Sequence, residues 1–205
     1  MIHQPTQSRS LRRTALLAMF SVIFMQLTVT AAEPAAGDSP AAPAEQVHAE
    51  QAKARARMRA DARTYKPEQI REAEQLYQVA NKKWRSPEGI DSLKQMIAKY
   101  PKMNRTGCAL LYLGQMTEGQ QGEDYLRQAI KDFGDCFYGD GVQVGAFARY
   151  VLAMKLKDTG KADEANQLLH EILAKYPNAV DHHGDRMSAL VKEELPDANS
   201  TKPAT

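Results

Sequence analysis

Residues 148–177 read ARYVLAMKLKDTGKADEANQLLHEILAKYP, and this stretch decides the fold. Leu152, Ala153 and Leu156, then Ala165, Leu169 and Ile172, fall at the three- and four-residue spacings of one apolar helix face, and Pro177 forbids the helix from continuing. The stretch therefore predicts two helices joined by a tight turn. Two short amphipathic helices cannot bury their apolar faces alone, so neighbouring pairs must stack on them.

The neighbours are visible in the chain. Leu169-x-x-Ile172-Leu173-x-x-Tyr176-Pro177 has earlier counterparts in Leu126-x-x-Ala129-Ile130-x-x-Phe133-Gly134 and Leu93-x-x-Met96-Ile97-x-x-Tyr100-Pro101. A small residue stands four positions ahead of each, as Gly89, Gly122 and Ala165. The first offset is 33 residues and the second 43, and GDCFYGDGVQ reads as an insertion that lengthens the second. Ahead of the first such helix, Ile70, Ala73, Leu76, Tyr77, Ala80 and Trp84 form an apolar face, with Pro67 as first helical residue. Ser86-Pro87 restarts the chain as N-cap and first turn.

A period near 34 residues with these small, apolar and helix-ending positions resembles the tetratricopeptide family. The likeness covers residues 67–181 and is fullest in the third unit. The family's first-helix Trp is replaced by Ala73, Leu110 and Arg149, and the turn of the second unit is short. The fold expected is all-α: a helix-turn-helix solenoid of about three repeats over residues 67–195. Met187, Leu190, Val191 and Leu195 form a C-terminal capping helix, and residues 196–205 a polar tail. The resemblance implies a protein or peptide partner held in the groove of the first helices. Carried over, the groove positions are Cys108, Leu111 and Gln115 in unit two and Phe147, Tyr150, Met154 and Lys157 in unit three. The run YLRQAIKDF and the Tyr-Pro helix ends are also similar to bacterial envelope proteins of this family, which act as adaptors in cell-wall or outer-membrane assembly.

The front of the chain reads as an address. Arg9, Arg12 and Arg13 precede the apolar run from Thr14 to Thr30, and Ala31-Ala32 follow. That is a signal peptide over residues 1–32, implying a periplasmic or secreted protein without stable membrane insertion after cleavage. An uncleaved anchor is the rival, though seventeen residues interrupted by Gln26 are short for a span of about 20. No cysteine near the cleavage site points to lipid anchoring. The first 32 residues carry three arginines and no acids. Beyond them the chain's 27 basic and 25 acidic residues become 24 and 25, a near-neutral balance with no global field for nucleic acid.

Residues 33–66 read as a leader. It is Ala/Pro-rich to Val47, then basic and helix-prone from His48 to Arg63, with Met58 its one large apolar side chain. The solvated spacer is weighed there against a basic arm for anionic lipid, glycan or an acidic partner.

Chemistry-bearing clusters are few. Cys108 and Cys136 are the two cysteines, and an even count in an exported chain predicts a disulfide, provided that the loop from Gly134 to Gly141 folds back. A redox-active pair is the alternative. Asp181-His182-His183-Gly184-Asp185 is the one metal-like run, read as a solvated turn. Asp132, Asp135 and Asp140 lack calcium-loop spacing, and His170 is a packed or surface histidine. No nucleophile–base pair or phosphate loop recommends an enzyme, and no cofactor is expected. The expected function is an exported adaptor. Self-association as a structural envelope protein, or a metal- or redox-linked accessory role, are the alternatives.

Overall fold

The structure is a computed structural model that describes residues 40–196. The expected signal, its cleavage site and the tail from 197 lie outside the described residues. These hold eight helices and no strand: α1 (Ala44–Asp61), α2 (Pro67–Lys82), α3 (Pro87–Lys99), α4 (Asn104–Met116), α5 (Gly119–Asp132), α6 (Val144–Asp158), α7 (Ala162–Lys175) and α8 (Met187–Glu194). From α2 onward each helix packs on the next, so that α2–α3, α4–α5 and α6–α7 form three stacked hairpins and α8 covers the last. The architecture is an all-helical solenoid.

Local chemistry sets the boundaries. Pro67 and Pro87 occupy first-turn positions that lack an intrahelical acceptor, and the Ser86 hydroxyl caps α3 by accepting the Gly89 amide at 3.0 Å. The short turn of the second hairpin is made possible by two glycines that face each other. A Cβ at Gly122 would lie 2.1 Å from the Thr117 carbonyl oxygen, and one at Gly114 2.4 Å from Leu126 Cγ. Only hydrogen at both positions lets α4 and α5 approach so closely. The core is the shared seam of the hairpins: Leu93, Met96, Leu110, Leu126, Leu152 and Ile172 are all buried. Helix α4 is buried along nearly its whole length, because other helices flank it on several sides.

Two features depart from expectation. First, the connection over residues 134–143 is no isolated insertion. Its backbone recurs 43 residues later over 177–186, with bridges Phe137↔Gln143 and Val180↔Arg186. The Tyr138 amide donates to Val142 O and the Val144 amide to Cys136 O; the Asp181 amide likewise donates to Asp185 O and the Met187 amide to Ala179 O. Gly141 and Gly184 supply the positive φ, +100° and +82°, that both turns require. Helix α8 thus stands where a further repeat's first helix would begin.

Second, α1 is seated on the solenoid despite having no apolar face. Ala54 is fully buried, Glu50 and Asp61 nearly so. Gln46 donates to Asn178 O at 2.9 Å, Arg57 pairs with Asp135 at 3.3 Å, and Asp61 Oδ2 accepts the Asn104 amide at the start of α4 at 2.9 Å. The helix therefore runs across the connections that follow α3, α5 and α7, held by small residues, ion pairs and a cap lent to α4. Just ahead of it, the Ala42 amide donates to Gly184 O, and Ala41 bridges Asp185. Residues 40–61 are therefore docked on the solenoid rather than lying free as a solvated spacer.

Candidate functional site

The groove expected from the resemblance is that of the first helices, α2, α4 and α6, and the two long loops pack against α4 and α6. Asn104, at the start of α4, holds the first loop by both ends of its amide: its nitrogen donates to Phe137 O at 2.7 Å and its oxygen accepts the Phe137 amide at 2.8 Å. That clamp turns the loop back onto α4. Tyr138 is buried and its hydroxyl donates to Cys108 O at 3.1 Å. Burial, with Tyr77 and Cys108 close by, drives the Tyr138 hydroxyl far above its ordinary pKa, so it stays a donor.

The second loop uses its homologous backbone differently. Asp181 Oδ1 accepts the amides of His183 and Asp185, both at 2.8 Å, closing the turn from inside. His182 leaves that turn and meets Asp140 of the first loop, Nδ1 to Oδ2 at 2.7 Å. Its ring stands edge-on to Tyr138 and Phe147, with centroids at 4.9 and 5.1 Å. Burial alone would raise the Asp140 carboxyl, but the His182 bond and charge, with the Val142 amide, hold it below the ordinary aspartate range.

The groove positions separate accordingly. Cys108 and Leu111 are fully buried, so neither faces an open groove. Phe147 and Tyr150 are half-buried and their rings run nearly parallel, 6.4 Å apart at 22°. Gln115 and Met154 are also half-buried. Lys157 is taken up by α8, where it reaches the carbonyl and the carboxylate of Glu194. What remains accessible is therefore a strip over Gln115, Phe147, Tyr150 and Met154.

Five aromatic residues that were given no groove role pack on α2, α4 and the loops. Trp84, 37% exposed, lies against Tyr112 at 4.7 Å, and Tyr112 stacks on Tyr77 at 5.6 Å. Arg105 sits over the Tyr77 ring at 4.5 Å and pairs with Glu74 at 2.6 Å. Tyr138 and His182 complete the set. Only the aromatic content of FYGDG hinted at Tyr138, and nothing in the sequence marked His182 as its neighbour.

The expected disulfide is not formed: Cys108 and Cys136 are both free and buried. The loop does fold back, since a Cβ at Gly107 would lie 2.9 Å from Cys136 Cβ. The two sulfurs take different partners, however. Cys108 Sγ donates to Phe137 O at 3.4 Å, while Cys136 Sγ accepts from Arg57 of α1 at 3.5 Å. Burial pushes both thiols up to about 12, so neither is the thiolate that exchange chemistry requires. Among the described residues no group of three or more His, Cys, Asp or Glu is placed to hold a metal, and no helix is long and apolar enough to cross a membrane. No family model, curated protein or solved structure matches the chain.

Proposed function

We propose that this is a tetratricopeptide-like adaptor, exported to the periplasm or beyond, that binds a protein or peptide through its concave face. One observation carries the reading. Phe147, Tyr150 and Met154 are half-buried along α6, with Val151 beside them, while Leu152, Ala153 and Leu156 are sealed. Aromatic and Met side chains give large contact area with adaptable packing, the composition that protein-binding surfaces favour. The Arg-rich start of the chain and its apolar run support the address.

The reading is tested by selecting peptides from a displayed random library on the purified protein. Selected peptides are expected to lose at least about tenfold in affinity for a Tyr150→Ala/Met154→Ala variant of unchanged helix content, as removal of two central anchors would cause. Peptides that bind both proteins equally would refute the assignment of this face.

A further inference from the structure

The basic helix α1 presents two unlike sides. Glu50, Ala54 and Asp61 are turned inward and buried, and Arg57 is spent on Asp61 and Asp135. On the outward side stand Arg55, Arg59 and, in the turn that closes the helix, Arg63, all exposed. Arg55 and Arg59, four apart, share one helix face about 6 Å apart along its axis, and Arg63 follows in the turn just beyond Asp61. Among the described residues none of the three side chains has an ion pair or a hydrogen bond. Between and beside them lie Ala52, Ala56 and Ala62, also exposed. No acid of α1 lies within the cluster: Glu50 and Asp61 are turned inward, and Glu45 is about 15 Å from Arg55 at the other end of the helix.

We infer that the outer face of α1 is a peripheral docking surface for an anionic phospholipid layer, with Arg55, Arg59 and Arg63 as the headgroup contacts. The chemistry of the face selects this occupant. A protein partner is held by an apolar centre with large anchors, and here the apolar groups are alanine methyls only. The same poverty excludes insertion of the helix as an amphipathic wedge. What is left is a flat, guanidinium-bearing strip, which suits surface phosphates that ask for charge without penetration. A chain of near-neutral balance has no long-range field, so this local cluster acts within about 10 Å, the screening length of dilute salt. The surface is separate from the concave face, and each can fail without the other.

The test is co-sedimentation of the full chain with vesicles of phosphatidylcholine alone and with added phosphatidylglycerol. The apolar N-terminal run is common to every arm, so the readout is the increment that the anionic lipid adds. Wild type is expected to show that increment, to lose it at high salt, and to lose at least about tenfold of it in Arg55→Gln/Arg59→Gln/Arg63→Gln. Because these side chains make no ion pair or hydrogen bond among the described residues, helix content and melting should change little. No increment in wild type, or an equal one in the variant, would overturn the proposal. Preference for poly-glutamate over the anionic vesicles, lost in the same variant, would assign the face to an acidic protein instead and overturn it equally.

Discussion

The loops over 134–143 and 177–186 share a backbone and almost nothing else. Each is closed by the same hydrogen bonds and turned by a glycine at positive φ. Yet Tyr138 in the first corresponds to Asp181 in the second, and Gly139 to His182. The first is fastened from outside, by the Asn104 amide and by α1. The second is closed from inside by the Asp181 carboxylate and is tied from outside by Gln46 on Asn178 and Ala42 on Gly184. The lesson is that amides and one glycine specify the turn, while the side chains are free to serve the surroundings: Tyr138 seals α4, and His182 ties one loop to the other.

Substitutions can break the pair unequally. Alanine at Gly141 meets both a φ of +100° and the Gln51 backbone nitrogen of α1 at 3.0 Å, so unfolding in urea should show a loss of about 3 kcal/mol. Asn104→Ala comes next. It strands the buried Phe137 amide, with an expected cost of about 2 kcal/mol and faster hydrogen exchange in the first loop only. At Gly184 the strain of φ +82° stands alone, since the nearest atom is Val47 Cγ2 at 3.7 Å. The expected cost there is about 1–2 kcal/mol. Equal effects at the two glycines would mean that α1 does not press on the first loop.

The smallest effect is on pH dependence. The Asp140 carboxyl is depressed in the folded state, so its contribution is present above the ordinary aspartate pKa of about 3.9 and is lost as pH falls through the folded value. Its side chain is 40% exposed, so solvent screening keeps the contribution below about 1 kcal/mol. Asp140→Asn should lower stability by up to that much above about pH 4 and leave it nearly unchanged in strong acid, where the carboxyl is protonated, so that the acid limb of the stability curve flattens.

The hairpins were legible because their burial is apolar and periodic: Leu93, Leu126 and Leus 152 and 169 announce the seam. The docking of α1 was not, because it depends on alanine contact, on Asp61 capping another helix and on Arg57 pairing across the chain, none of which a hydrophobic period reports. The twin loop escaped notice for a related reason. Its conserved part is backbone hydrogen bonding, and side-chain comparison sees little beyond one glycine. Of the positions expected to line the groove on α6, Phe147, Tyr150 and Met154 are half-buried. On α4 the expected groove positions Cys108 and Leu111 are buried, and the loop that carries Tyr138 turns back onto that helix through Asn104. The cysteines illustrate the same limit, since nearness along the fold did not determine which partner each sulfur takes.

The most direct test of loops that turn back and seal the inner helices is thiol titration of the protein before and after unfolding, without reductant. Burial of Cys108 and Cys136 as free thiols predicts almost no reaction in the native state and two equivalents once unfolded. Two thiols reacting at once in the native protein, or none after unfolding, would contradict the account.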